Sequence, residues 1–319
     1  MKAIVCTSYG PPDALQLQER EKPTPKDHEV LIRIHATSVN AMDWRLFTMP
    51  LLMRRLIGRG WDKPKNGSCG ADLAGVVDAV GPSVTKFRAG DAVFGIQMGA
   101  FAEYVCAPED RLVSKPAHVS FEAAAAVPVA ALTALRGVRV GNVTAGHKVL
   151  VNGSGGGVGT FSVQIAKAFG AEVTAVCSTR NQDVARSIGA DHVLDYTRDD
   201  ATKTGHRYDV IIAVNGYHSM LDYRRALNPH GVCVVLGGSA GQLLQGALFA
   251  PVLNLLGKKR TRGVMGHPKR DELIALQQLL ETGKIVPVID RTYPLADVAA
   301  AVSYLIAGHS SGKVVITVR

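Results

Sequence analysis

Residue type and spacing point most directly to chemistry in the segment VLVNGSGGGVGTFSVQIAKAFGA, residues 149–171. An apolar run leads into Gly153, Ser154, Gly155, Gly156, Gly157, Val158 and Gly159, and a helix-forming run comes after it. Positions without side chains let a backbone turn sharply and approach a pyrophosphate closely. A helix beginning there offers N–H groups and a partial positive charge to the phosphates. Read as Ser154-x-Gly156-x-x-Gly159, the loop departs from G-x-G-x-x-G at its first position, where serine stands for glycine. A glycine string alone is equally a structural turn. With a strand before it and a helix after it, the expectation is a dinucleotide site.

The next strand, EVTAVC, ends in Ser178, Thr179 and Arg180. An acid about 20 residues past the glycines would bind the ribose 2′-hydroxyl of NAD. No carboxylate comes directly after this strand. Two hydroxyls can donate to a 2′-phosphate and Arg180 can neutralise it. NADPH is therefore the expected cofactor. The alternative is that Arg180 points to solvent and the chain takes either dinucleotide.

Other reactive residue types form no pattern. Cys6, Cys69, Cys106, Cys177 and Cys233 are widely spaced, with neither a C-x-x-C pair nor a disulfide framework. The histidines, His28, His35 and His118 among them, are scattered. No metal site is expected.

These residues need elements to position them. From 120 onward the chain alternates regularly. Short β-branched runs at 148–151, 172–176, 192–196, 209–214 and 232–236 are separated by helical runs at 160–169, 182–188 and 220–227. That rhythm predicts βαβ units and a parallel sheet with both faces covered. A run at 261–265 is a candidate sixth strand. Residues 1–119 read as strands and loops. Period-2 alternation runs over 30–37, Gly81, Gly90 and Gly99 punctuate the later stretches, and one helical pattern covers 43–56. Residues 268–319 return to mixed character, and the closing KVVITV rejoins the first domain.

The chain has 319 residues, enough for two domains that need neither disulfide nor metal to fold. Lys plus Arg number 36 against 27 for Asp plus Glu, a net +9. Spread over two domains, that suits an anionic ligand rather than a nucleic acid. The two basic clusters, Arg54, Arg55, Arg59, Lys63, Lys65 and Lys258, Lys259, Arg260, Arg262, read as solvated loops. The apolar stretches 121–135 and 240–256 are each interrupted by proline, so no membrane span is expected. The start, MKAIVCTSYGPPD, lacks a signal-peptide core, and the odd cysteine count suits a reducing compartment; a cytoplasmic location is expected.

The chain resembles the zinc-independent medium-chain dehydrogenases/reductases of the quinone oxidoreductase type over essentially its whole length. The matching pieces are EVLIRIHATSVNAMDWR (29–45), GADLAGVVDAVGPSVTKFRAGDAVFG (70–95), GAFAEYV (99–105), AAAVPVAALTAL (124–135), NGSGGGVG (152–159), GADHVLDY (189–196) and SSGKVVIT (310–317). The resemblance implies a GroES-like β-rich catalytic domain, residues 1–119 completed by 268–319, around a Rossmann domain with a doubly wound parallel sheet, residues 120–267. It also implies a cofactor cleft beside the Rossmann domain and a homodimer. By the same resemblance Tyr196 lines the adenosine end and Thr133 lies near the nicotinamide ribose. Asn215, Gly216, Gly237 and Gly238 close the fourth and fifth strands at the ligand crevice, and Lys313 falls in a terminal Gly-Lys. The glycines are equally simple turns.

Zinc-dependent members carry a cysteine in the segment matching 38–43 and a His-Glu pair in that matching 70–72. Here stand Asn40 and Ala71-Asp72. Two good zinc ligands are missing, which implies a zinc-free site suited to acceptors already electrophilic, quinones or α,β-unsaturated carbonyls. Asn40 and Asp43 occupy the loop that elsewhere carries the zinc ligand. They are the catalytic candidates, Asn40 as a donor to the acceptor carbonyl, while Asp43 is equally a cap for a helix starting at Trp44. Residues 45–65 are expected to form a flap whose apolar side chains suit a small hydrophobic acceptor or simply pack as core. An enoyl thioester reductase and a non-catalytic NADPH-binding protein are the alternative readings.

Overall fold

The computed structural model describes residues 1–48, 67–215, 218–238, 250–251, 253–255, 257–264, 266–308 and 310–318. The expected flap beyond residue 48, the basic cluster at 54–65, Gly216 and most of 240–256 lie outside the described residues. The chain folds into two compact units. One holds Met1–Val129, Pro268–Glu281 and Pro287–Arg319, the other Ala130–His267 and Thr282–Val286.

The first unit opens with an antiparallel pair, β1 (Lys2–Cys6) and β2 (Leu15–Glu19). Then come β3 (Glu29–Val39), α1 (Ala41–Thr48), β4 (Asp72–Val80), β5 (Ala92–Ile96), β6 (Tyr104–Pro108), β7 (Leu112–Ser114) and α2 (Phe121–Ala125). Ser120 starts α2 by accepting the N–H of Ala123 at 3.1 Å, satisfying one of the helix's orphan donors. Helix α3 (Pro128–Val140) leads into the second unit.

That unit is built from β8 (Lys148–Asn152), α4 (Gly157–Ala168), β9 (Glu172–Cys177), α5 (Gln182–Ser187), β10 (His192–Asp195), β11 (Tyr208–Ala213), α6 (Met220–Ala226), β12 (Leu227–Val235) and β13 (Arg260–Gly263). Its six-stranded sheet runs β10-β9-β8-β11-β12-β13, every pair parallel. The chain enters at the centre, moves outward through β9 and β10, then crosses back to β11 beside β8. This is the doubly wound order, with its switch point between β8 and β11. Parallel strands covered on both faces must be apolar throughout. Leu150, Val173, Ile211 and Val234 are accordingly fully buried.

The chain end returns to the first unit as α7 (Arg270–Glu281), β14 (Ile289–Pro294), α8 (Val298–Ile306) and β15 (Lys313–Thr317). Strand β15 lies in the first unit and pairs antiparallel with β3 in the register Val314↔Val39. The completed seven-stranded sheet runs β14-β15-β3-β4-β5-β7, with β6 also on β3. The alternation read over 30–37 does not leave one face wet. Thr37 and Ser38 are as buried as Ile32 and Ile34, while Arg33 and His35 are half-buried.

Gly75 shows how tightly that centre is assembled. It sits opposite Ile34 where the β3–β4 register shifts, and a Cβ there would lie 2.1 Å from the carbonyl oxygen of Arg33. Backbone cannot yield as a side-chain tip can. Gly75→Ala is therefore expected to lower stability by more than about 2 kcal/mol, read as a shift in the urea midpoint. An unchanged midpoint would show that the two strands can separate there at no cost.

Candidate active site

In the second unit the glycine loop leaves the carboxyl end of β8 at the switch point. Four features of its backbone fix its shape. Gly153, at φ +93°, lies against Asn215, whose oxygen would be 2.6 Å from an added Cβ. A Cβ on Gly155 would lie 2.3 Å from the Asn181 side chain, and one on Gly159 would lie 2.1 Å from the Gly153 carbonyl oxygen. Gly156 is different: a Cβ there would meet nothing within 4 Å. The loop is thus packed hard on its protein side and open at Gly156, the N-cap of α4. Gly157 and Val158 begin that helix and present its first N–H groups. These residues fit a pyrophosphate held against a helix N-terminus.

Ser154 takes no outward position. It is buried, and its hydroxyl donates to the Val176 carbonyl at 3.0 Å while its N–H reaches the same oxygen at 2.9 Å. The serine at the pattern's first position therefore laces the loop to β9.

The remaining residues expected at the cofactor fall at the carboxyl ends of neighbouring parallel strands. Ser178, Thr179 and Arg180 come after β9, Tyr196 after β10, Asn215 after β11, and Gly237 and Gly238 after β12. Tyr196 is 60% exposed, and Thr179 and Arg180 are exposed. Gly237 is a close-approach position, since a Cβ would lie 2.5 Å from the Val214 carbonyl oxygen. Thr133 is half-buried on α3.

One part of the sequence reading needs correction. A carboxylate does stand by the Ser178–Arg180 turn, supplied by the neighbouring strand. Asp195 pairs with Cys177 in register, and its Oδ2 accepts the Thr179 hydroxyl at 2.5 Å and Gln182 Nε2 at 3.1 Å. Its Oδ1 accepts the backbone N–H and hydroxyl of Thr197 at 2.9 and 2.7 Å. These donors, Thr179 first, hold its carboxyl down to about 2, so it is ionised at neutral pH. The Thr179 proton is thereby spent inside the protein and is not available to a 2′-phosphate.

In the first unit Asn40, Asp43 and Lys313 do come together, around a residue the sequence reading gave no such role. Asp72, the first residue of β4, has no exposed surface. Its Oδ2 accepts the Ser38 hydroxyl at 2.5 Å, Asn40 Nδ2 at 2.8 Å and Lys313 Nζ at 3.3 Å. Its Oδ1 accepts the backbone N–H of Val129 at 2.8 Å. Lys313 Nζ also donates to Asn40 Oδ1 at 2.6 Å and to the Val39 carbonyl at 3.3 Å. The chemistry fixes the Asn40 amide orientation, because an ammonium can only donate and a carboxylate can only accept.

Two of the expected ligand contacts have protein partners here. Asn40 directs its amide hydrogens to Asp72 and, at 3.3 Å, to the Ser38 carbonyl. Lys313 directs its three N–H bonds into this cluster, is 3% exposed and acts as an internal counterion to Asp72. The signal that pointed to Asp72 was a charged residue opening the otherwise apolar run DLAGVV.

Asp43 sits one turn on. Helix α1 starts at Ala41 rather than Trp44, and Asp43 Oδ2 accepts the N–H of Asn40, the residue before the helix, at 2.7 Å. This is the reciprocal half of a capping box. Its Oδ1 is buried and has no partner among the described residues. Burial pushes its carboxyl up to about 7, against the pull of the Asn40 N–H, with Asp72 adding to the rise and Lys313 opposing it.

A switch-point glycine loop on a doubly wound sheet, joined to a β-rich unit closed by the chain end, defines an oxidoreductase that uses NAD or NADP. Residues 26–117 match the alcohol dehydrogenase GroES-like domain and residues 188–316 the zinc-binding dehydrogenase domain. The chain is 32% identical over 335 residues to the chloroplast envelope quinone oxidoreductase homolog of Arabidopsis thaliana, covering 99% of this chain and 98% of that protein. It is 33% identical over 331 residues to the chloroplastic NADPH-dependent alkenal/one oxidoreductase of the same plant, covering 99% and 79%. The solved quinone oxidoreductase of Coxiella burnetii superposes with a TM-score of 0.87 at 29% identity, covering 100% of this chain and 99% of that one. The chain belongs to the medium-chain dehydrogenase/reductase family, within its quinone oxidoreductase type.

Two outcomes test the buried cluster. Lys313→Met strands the Asp72 charge and is expected to cost about 3–5 kcal/mol, part of which the double variant Lys313→Met/Asp72→Asn recovers; a cost below about 1 kcal/mol would mean Asp72 needs no counterion. For Asp43, the folded state binds more protons than the unfolded one between the ordinary carboxylate value and about 7. Its contribution therefore favours folding below that window and is lost as pH rises through about 7, with a slope of at most about 1.4 kcal/mol per pH unit. Asp43→Asn should remove that slope, so its stability relative to wild type improves from pH 5 to pH 8. Parallel stability curves for the two proteins would refute the assignment.

Proposed function

We propose that this protein reduces quinones or α,β-unsaturated carbonyl compounds by hydride transfer from NADPH, without zinc. The observation that carries the reading is the glycine loop, closed on its protein side and open at Gly156, at the switch point of the parallel sheet. Relatives bearing the names of quinone and alkenal/one reductases along nearly the whole chain support the acceptor class. When bound, NADPH supplies the hydride.

The chain's own residues do the rest. The N–H groups opening α4, from Gly157 to Gly159, bind the pyrophosphate, and Gly156 leaves it room. Ser178 and Arg180 receive the 2′-phosphate, Arg180 through its forked charge. Tyr196, Thr133, Asn215, Gly237 and Gly238 orient the rest of the dinucleotide. Asp43 holds the proton that the reduced acceptor's oxyanion requires, at a carboxyl that burial keeps partly neutral. Asn40 and Lys313 are positioning residues that fix the loop leading to it.

The zinc-free part rests on the donor set. Asn40 replaces a thiolate, and both oxygens of Asp72 are already taken by protein donors. Acceptors polarised by their own conjugation need no Lewis acid. The same proposal includes a small hydrophobic acceptor and a homodimer formed through the sheet edge at β13, which pairs only with β12 among the described residues. It also includes a cytoplasmic setting, which suits five free thiols. Among the described residues no helix is long and apolar enough to cross a membrane.

Anaerobic oxidation of NADPH and NADH against a quinone and an enone, with a metal chelator present, tests these points together. Chelator-resistant turnover faster with NADPH is the expected result, and the better acceptor names the subclass. Binding of NADPH with no turnover on either acceptor would overturn the catalytic reading.

A further inference from the structure

Asp195 raises a question of charge at the 2′ position. It is 5% exposed, and the four donors that hold it come from two threonines and a glutamine. Neutral donors stabilise a carboxylate but do not cancel its charge, as a lysine or arginine in an ion pair would. One of those donors, Thr179, lies in the turn that carries Arg180. The negative charge therefore stands one hydroxyl away from the turn to which the reading above assigns a 2′-phosphate.

We propose that Asp195 is a specificity-determining residue that opposes the 2′-phosphate and so limits the preference of this protein for NADPH over NADH. The inference rests on the dinucleotide reading above. Arg180 attracts the phosphate, and Asp195 acts against it in two ways. Its charge repels the phosphate through protein, where screening is weaker than in water. It also consumes the Thr179 proton, which would otherwise be a second hydroxyl donor in that turn, beside Ser178.

Asp195→Asn separates this role from simple support of the turn. Asparagine keeps the shape and one oxygen, so Thr197 retains its acceptor. The new amide N–H donates to the Thr179 hydroxyl oxygen, which frees the hydroxyl proton to turn outward, and Gln182 can rotate its amide to present oxygen. Dissociation constants for NADPH and NADH are measured by fluorescence titration on wild type and variant, at low and high salt. The expected result is a rise in the NADPH-to-NADH affinity ratio of about three- to tenfold, shrinking as salt increases. Asp195→Ser, smaller and also neutral, repeats the measurement should the first variant not fold. A ratio that stays the same or falls would overturn the inference, since a purely structural role weakens both dinucleotides alike. Wild type that binds neither dinucleotide would overturn the cofactor reading, and this inference with it.

Discussion

A carboxylate with no access to water organises the β-rich unit. Asp72 is held by donors from the end of β3, from the loop leading into α1, from the start of α3 and from Lys313, 241 positions away in sequence. Burying a charge is costly unless partners replace water, and here each partner comes from a different segment. The ionic contact to Lys313 also fixes where the chain's last strand must lie, because β15 has to present that lysine beneath Asn40. The register of β15 on β3 and the shape of the loop at Asn40 are thus two consequences of one electrostatic demand. Asp43 is neighbour to the same cluster, and its raised carboxyl value comes chiefly from the dry surroundings that the cluster helps to maintain.

The Rossmann unit depends on a different constraint, the close approach of backbone to backbone. In a fully parallel sheet every strand's carboxyl end lies along one edge, so residues distant in sequence gather there. The loop after β8 can enter that edge only if it carries no Cβ at Gly153 and Gly159, where the neighbouring atoms are backbone. Ser154 is tolerated because its side chain bonds the β9 backbone instead of pointing outward. The openness at Gly156 is what remains once the protein side of the loop is filled.

Side chains read from sequence as contacts to ligand divide into those that stay exposed and those that the fold consumes. Arg180 and Tyr196 remain at the surface. Asn40, Lys313 and the Thr179 hydroxyl are taken by internal carboxylates. A buried carboxylate recruits the nearest donors regardless of what those donors might otherwise bind. Each of the three was legible as a polar group near a functional segment, but its internal partner was not, because the acid that bonds it lies elsewhere in the chain.

The sequence by itself determined what local pattern can determine. The spacing of β-branched runs and helical runs from 148 onward dictated the parallel sheet, because strands buried on both faces must be continuously apolar. The glycines of 153–159 signalled a tight strand-to-helix turn, and at Gly153 and Gly159 backbone contacts leave no room for a side chain. KVVITV declared a buried strand. Tertiary structure alone decided which polar groups meet. Asp195 reaches Thr179 through the pairing of β10 with β9, and Lys313 reaches Asp72 through the pairing of β15 with β3. A buried charge chooses its partners by distance in space, to which spacing along the chain gives no guide.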